Sequence, residues 1–591
     1  MQRPMSIKSG KFDPENIAGM DEIILPRSSN YADLRLYFDP KLCDFSNMGG
    51  RAPICLLALL LILGGLTVRA SAQEPSHEPD ASAARPPTTR IDAVRFVGAS
   101  SVPALDLTKA VVPWLHRELG FDQMNEMAAA VTSLYRSRGY MVASAYLAAQ
   151  KIHDHVLTIT VVEGRVGTIR LRSNKTAVSD EQLRATLEAN LCDGDCAKAA
   201  AIRQSDIERA ALIVNAIPGV AATYELAPGQ RPGTTDLLLD AKKTDDFAVT
   251  VGADNNGFAL TGRRRASLAV NASNLFGRGD QIAFSSTYTG KGFLAFSADA
   301  SLPFGYRGAR LGATGGHLRY ALGGEFAVLG ATGVSDQIGF YGSYPLARTL
   351  ERSMDLRFDL LAKSIHSNID APKLKLRSTQ SAVELMVAVS GSQLDRVFAS
   401  ASTQYRFAWT TGELRLGTPT GRASDALAAR TNGSFGKFSY LVQREEFLAQ
   451  GLTLFGRVSG QYATTNLDSS EKFPLGGAQG VRAYDTGAAA ADIATLLSIE
   501  GRIRAPASLT GPWEITIAPF YDHAWLTQNK RRWNGFIGEN QGQMAGVGLY
   551  ASLVRPGRYS LRATYARRVR TSDDIVPGAD ERAWLEAAAL F

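Results

Sequence analysis

The stretch Q-Y-A-T-T-N-L-D-S-S-E-K-F-P-L-G-G-A-Q-G-V-R-A-Y, Gln461 to Tyr484, decides how this chain is read. It lies between strand-like segments and carries Gly476, Gly477 and Gly480 just ahead of Arg482. It is too polar for a core strand and too rich in glycine for a helix.

From Asp246 to Phe591 the sequence alternates. Met354, Leu356, Phe358 and Leu360 interleave with Asp355, Arg357 and Asp359, and Tyr559, Leu561, Ala563 and Tyr565 interleave with Ser560, Arg562 and Thr564. A soluble sandwich alternates too. Length, repetition and the export signal described next favour a membrane barrel, with apolar side chains towards lipid and charges towards a wet lumen. These 346 residues have room for about sixteen strands of roughly 9 to 11 residues with their connections. Periodicity alone does not separate fourteen strands from eighteen.

Pro53 to Val68 is an apolar run preceded by Arg51 and followed by Ala70-Ser71-Ala72, the order of a secretory signal peptide. Met48 stands just ahead of it. The expectation is a start at Met48, a signal peptide over 48–72 and an N-terminal extension, 1–47, that is not translated. Residues 73–90, rich in Pro, Ser, Ala and charge, read as a linker.

Between linker and barrel, two units of the order β-α-α-β-β follow one another, over 91–165 and 166–243. In the first, Ile91 to Val97 reads as a strand, Leu105 to Leu119 as a helix, and Met124, Met127, Ala128, Val131, Leu134 and Tyr135 as the buried face of a second helix. In the second, Ser179 with Gln182 and Ser205 with Glu208 read as capping boxes. The fold class is thus α+β domains followed by an all-β transmembrane barrel, with sixteen antiparallel strands expected.

Composition narrows function. The net charge of +7 is dispersed, which gives no case for nucleic acid. The motifs G-x-S-x-G, H-E-x-x-H and G-x-x-x-x-G-K-[ST] are absent from the sequence, so no enzyme, cofactor or metal is expected, and His153 with His155 reads as an exposed turn. Cys192 and Cys196 would be the two cysteines left after cleavage of the leader, and in an exported chain they suggest a small disulfide.

The two α+β units resemble POTRA domains, the polypeptide-transport-associated modules of outer-membrane translocases. The residues that carry this are L-Y-R-S-R-G-Y at Leu134 to Tyr140, Gln150, E-G-R-V at Glu163 to Val166, and I-P-G-V at Ile217 to Val220. Val481, Arg482, Ala483 and Tyr484 are similar to the V-R-G-Y motif of the loop that folds into the lumen of two-partner secretion transporters, the ShlB/FhaC/HecB type of haemolysin secretion/activation protein. Ala483 stands where that family usually has glycine. D-N-N-G at Asp254 to Gly257, N-L-F-G-R-G-D at Asn274 to Asp280, Gly476-Gly477, the E-x-R of Glu500 and Arg502, and Phe520-Tyr521-Asp522 follow in the family's order.

The resemblance implies an outer-membrane transporter with its POTRA domains in the periplasm, exporting a large partner exoprotein of the TpsA type such as a haemolysin or adhesin. It implies a pore loop near 475–485 in which Arg482 pairs with Asp522, in a setting expected to be partly hydrated. The Asn274, Gly277, Gly279, Asp280, Glu500 and Arg502 motifs are implied to belong to the barrel wall. Phe591 is implied to be a signal read by the barrel assembly machinery on the way into outer-membrane lipid. At Ala483 a methyl group is expected to be tolerated, with glycine serving only close approach to the wall. The rival reading is a factor that assembles other barrels, which typically carries more POTRA units.

Overall fold

The computed structural model describes residues 6–7, 87–192, 194, 196, 201–290, 292–372, 374–571 and 579–591. The expected signal peptide, the N-terminal extension apart from Ser6 and Ile7, and most of the linker lie outside the described residues.

The first α+β unit comprises β1 (Ala93–Val97), α1 (Ala104–Val111), α2 (Phe121–Ser137), β2 (Ser144–Tyr146) and β3 (Val156–Val162). β3 is central, parallel to β1 and antiparallel to β2. Leu107, Met127, Val131 and Tyr135 from the helices close on Leu157 and Ile159 of β3. The helix expected to run to Leu119 stops at Val111. Pro113, in the one-turn 3-10 helix Val112–Trp114, lacks the N–H that an α-helix needs, and its ring crowds the preceding turn. Arg117–Leu119 pairs instead with Thr89–Ile91, so the strand expected over Ile91 to Val97 is split.

The second unit comprises β4 (Arg165–Asn174), α3 (Asp180–Leu191), α4 (Gln204–Asn215), β5 (Val220–Pro228) and β6 (Thr234–Lys243). β6 lies between β5 and β4. The Ser179 side chain caps α3, accepting from the Gln182 backbone N–H at 3.2 Å. The second expected cap does not form: α4 starts at Gln204, and its N-cap position is held by Arg203 without a side-chain cap. Cys192 and Cys196 are disulfide-bonded just after α3, with Cα atoms 4.7 Å apart.

The barrel follows: β7 (Phe247–Asp254), β8 (Arg265–Ser273), β9 (Gln281–Tyr288), β10 (Phe293–Phe304), β11 (Ala309–Ala321), β12 (Thr332–Arg348), β13 (Arg352–Ala371), β14 (Leu374–Asp395), β15 (Ser400–Leu416), β16 (Gly433–Ala449), β17 (Leu452–Ala463), β18 (Ile493–Arg504), β19 (Glu514–Thr527), β20 (Gln541–Arg555), β21 (Tyr559–Thr571) and β22 (Glu581–Leu590). Each pairs antiparallel with the next, and β22 returns to β7 with Leu590 opposite Thr250, closing sixteen strands. Closure leaves no unpaired sheet edge, which a membrane-spanning sheet requires. Phe358, Leu360, Tyr559, Leu561 and Tyr565 are exposed on the wall, while the alternate residues Arg357 and Asp359 pair at 2.7 Å. That is the inside-out pattern of a barrel in lipid. Among the described residues no helix is long and apolar enough to cross a membrane.

The second unit is seated on the near end of the barrel. The turn between β8 and β9 is N-L-F-G-R-G-D, tied by Asp280, which accepts from the Leu275 and Phe276 amides at 2.9 and 3.0 Å. Asn274 accepts from the Gly279 amide at 2.8 Å. Gly277 and Gly279 have φ of +71° and +72°, and a Cβ on either would strike the second unit, 2.8 Å from the Ala177 carbonyl oxygen and 2.6 Å from Ile217 respectively. Gln182, Asn190 and Arg209 donate to the backbone carbonyls of Arg278, Tyr306 and Pro345.

Candidate functional site in the lumen

β17 runs away from the α+β units, so the connection 464–492 leaves the far end of the barrel and folds back inside. A short ladder pairs Phe473 with Ala491 and Leu475 with Ala489 at its neck. Beyond it Gly476 and Gly477 take φ of +82° and +90°, values that favour glycine. The Gly477 amide donates to the Tyr484 carbonyl at 2.9 Å, and the Tyr484 amide to the Val481 carbonyl at 3.1 Å. Two positive-φ glycines thus reverse the chain and set Val481, Arg482, Ala483 and Tyr484 against the wall.

That wall is apolar around one charged cluster. Val481, Ala483 and Tyr484 are fully buried and pack with Leu496 of β18, Phe520 and Ala524 of β19, and Met544 and Tyr550 of β20. Burying a side chain the size of Val481 contributes about 1.5–3 kcal/mol. Asp522 accepts from Arg482 three times, from its backbone amide at 3.0 Å, its Nε at 2.8 Å and its second terminal nitrogen at 2.7 Å. The other terminal nitrogen of Arg482 reaches Glu500 Oε1 at 2.8 Å. The guanidinium lies over the Phe520 ring, 3.4 Å from its centroid, and the Arg482 carbonyl accepts from Trp584 Nε1 at 2.8 Å.

Glu500 is shared in turn. Its other oxygen accepts from Arg502 Nε at 2.9 Å and from the Tyr550 hydroxyl at 3.2 Å, while Arg502 also reaches Glu445 at 2.7 Å. Asp522 is 0% exposed and Arg482 9%. The partly hydrated setting expected for this pair is therefore not found, because apolar loop and wall residues seal it.

Sequence reasoning paired Arg482 with Asp522 but missed Glu500 as the second acceptor, and missed two further fastenings. Glu471, 2% exposed, accepts from Lys363 of β13 at 2.7 Å and Lys437 of β16 at 2.8 Å. Lys363 also pairs with Glu384 of β14 at 2.6 Å. Asp485 is bound by Arg263 and by Arg582 of β22. The available signal was strand parity: Lys363, Glu384 and Lys437 all occupy inward positions, opposite an acid in the polar stretch.

The structure joins Gly476, Gly477, Val481, Arg482, Ala483, Tyr484, Glu500, Arg502 and Asp522 in one site. Asn274, Gly277, Gly279 and Asp280 serve the docking turn instead. Phe591 is 73% exposed and extends the seam, its amide donating to Val249 at 2.9 Å. Ala483 does not have a positive φ. Among the described residues no cluster of three or more His, Cys, Asp or Glu side chains could hold a metal ion.

A closed sixteen-strand barrel with a buried loop latched inside its lumen and α+β modules at its entrance defines an outer-membrane protein transporter. The chain belongs to the haemolysin secretion/activation family ShlB/FhaC/HecB, whose sequence profile matches residues 233–549. The ShlB-type POTRA profile matches residues 89–164. The heme/hemopexin transporter protein HuxB of Haemophilus influenzae strain 86-028NP is 26% identical over 493 residues, covering 82% of this chain and 84% of its own. The outer membrane transporter CdiB of Dickeya dadantii is 25% identical over 402 residues, covering 66% of this chain and 68% of its own. The structure of CdiB from Escherichia coli shares the fold, with a TM-score of 0.68 at 20% identity, over 87% of this chain and 93% of that one. The protein is an outer-membrane transporter of two-partner secretion, with its POTRA region in the periplasm. The family match favours this over the assembly-factor reading.

Proposed function

We propose that the chain receives an unfolded partner exoprotein of the TpsA type, haemolysin-like or adhesin-like, at its α+β units and passes it through the lumen once the 464–492 loop is released. The observation that carries this is the latch: the loop lies in the lumen and is held there by non-covalent contacts, chief among them those of Arg482 with two acids on adjacent strands. No covalent bond needs to break for it to leave. Apart from its sequence neighbours, the loop is fastened by contacts that a change in the partner or in the POTRA region could exchange.

Strand addition is the proposed mode of capture. β5 lies at one edge of the second unit's sheet, paired on its other side with β6. A strand at a sheet edge offers its backbone donors and acceptors to an added extended segment. A transport role without nucleotide hydrolysis by this chain follows from the same reading.

The test is a secretion assay in cells carrying the candidate partner with wild-type, Arg482→Ala or POTRA-deleted transporter, with barrel abundance in the outer membrane measured each time. The proposal expects extracellular partner to fall with the POTRA-deleted transporter while barrel levels hold, and Arg482→Ala, which frees the latch, to keep exporting. Continued export from the POTRA-deleted transporter together with depletion of other outer-membrane proteins would contradict it and support the assembly-factor reading.

A further inference from the structure

We infer that Gly546 and Gly548 of β20 form a socket that sets the resting position of the loop, with Gly546 and Ala483 as a matched pair. The inference rests on the reading of the loop as the lumen gate.

The two glycines sit on the inward face of β20, one opposite each key residue of β19: Gly546 pairs with Asp522, and Gly548 with Phe520. A Cβ built on Gly546 would lie 2.5 Å from the Ala483 Cβ. A Cβ on Gly548 would lie 2.2 Å from the Tyr565 carbonyl oxygen of β21 and 2.3 Å from the tip of the Phe520 ring. Real side chains do not approach so closely in a packed interior, and the neighbour would have to move.

What would move matters. Phe520 is the ring under the Arg482 guanidinium, and Ala483 is the next residue along the loop. One glycine therefore leaves room for the floor of the latch, and the other for the methyl group beside it. The ladder between β20 and β21 also shifts register between Ala545 and Gly546, so the strand is irregular where the loop tip meets it. Such an irregularity re-aims the local backbone.

This accounts for alanine at 483. The position does not use a positive φ, so a methyl group has no backbone cost there, and the space it needs is supplied by the missing side chain at 546. With glycine at 483, the nearest remaining neighbours of a 546 Cβ would be the Arg567 carbonyl oxygen at 3.2 Å and the 483 Cα at 3.6 Å. A methyl group can thus be carried on one side of the contact or the other, and not on both.

The experiment is single-channel recording of full-length transporter in planar bilayers, with folded barrel verified by heat-modifiable migration. Gly546→Ala is expected to raise the time spent in conducting states several-fold by unseating the loop. The double variant Ala483→Gly/Gly546→Ala is expected to return it to the wild-type level, a rescue that a general weakening of the barrel would not show. Ala483→Val overfills the socket from the loop side without altering a strand. It is expected to open the pore as Gly546→Ala does, and it supplies the test if Gly546→Ala fails to assemble. Wild-type conductance in folded Gly546→Ala or Ala483→Val, or a double variant that stays open, would overturn the socket. Arg482→Ala is recorded beside them: if it too leaves conductance unchanged, the gate reading fails rather than the socket.

Discussion

Asp522 holds Arg482 by its backbone as well as its side chain, accepting from the amide at 3.0 Å and from two guanidinium nitrogens at 2.8 and 2.7 Å. A side-chain pair alone would fix a charge in space. Adding the amide fixes the loop's path, because the carboxylate can accept all three bonds in one orientation of the chain.

Removing one partner of a buried pair leaves the other charge uncompensated, at a cost of about 3–5 kcal/mol. Arg482→Ala is therefore expected to lower thermal stability of the detergent-solubilised barrel more than Asp522→Asn does, since the asparagine keeps an acceptor for the amide. Arg482→Lys should recover little, because a single ammonium cannot span both Asp522 and Glu500 with the geometry of a planar fork. Differential scanning measurements on the three variants decide this, and equal shifts would contradict it.

Glu471 is the fastening nearest the neck of the loop. Glu471→Gln keeps the shape but removes the charge that compensates Lys437 and leaves Lys363 with Glu384 alone. The loop should become accessible to added protease in whole cells while Arg482 contacts persist, so cleavage within 464–492 is expected to rise with little gain in conductance. Resistance equal to wild type would show that the lysines do not hold the loop.

The near end of the barrel makes a separate prediction. Gly279→Ala puts a methyl group into Ile217 and forces a side chain into φ of +72°, a conformation costing roughly 1 kcal/mol outside glycine. Cysteine pairs placed at Asn190 and Tyr306, whose native contact is 2.9 Å, should cross-link less in that variant. Unchanged cross-linking would mean the turn does not set the seat of the second unit.

Glu163 supplies the pH dependence. It accepts from the Ser100 and Ser101 amides at 2.6 Å each, from both their hydroxyls, and from Tyr135 at 2.8 Å. Burial pushes the carboxyl up, but these bonds outweigh it and hold the group at about 2, below its ordinary 4.5. A depressed carboxyl stabilises the folded state above the unfolded value, and that contribution is lost as pH falls from about 4.5 towards 2. Hydrogen-exchange protection at Ser100 and Ser101 should hold from neutral pH to about 4.5 and decline below it. Glu163→Gln should be less protected at neutral pH and lack that decline.

Much of this was legible in the sequence because the signals are local or periodic. The face of α2 from Met124 to Tyr135, the Ser179 cap and the alternation of Tyr559 to Tyr565 each need only neighbouring residues. Arg482 with Asp522 was legible through motif order, not through physics. The rest depends on strands brought together from afar. Nothing near Glu471 announces Lys363, and nothing near Ala483 announces Gly546. Strand number was fixed only by closure of β22 on β7, and α1 was overextended because Pro113 was passed over inside an otherwise apolar run.

The most direct test of the central claim, that release of the lumen loop permits export, is to tether it. Arg263→Cys with Asp485→Cys replaces an existing ion pair between the lumen loop and the connection leading into β8, and a short cleavable thiol-specific linker can join the two in cells expressing the partner. The account predicts that linking stops the appearance of partner outside the cell, with folded barrel unchanged in amount, and that cleaving the linker restores it. Export at the wild-type rate with the loop tethered would contradict the account.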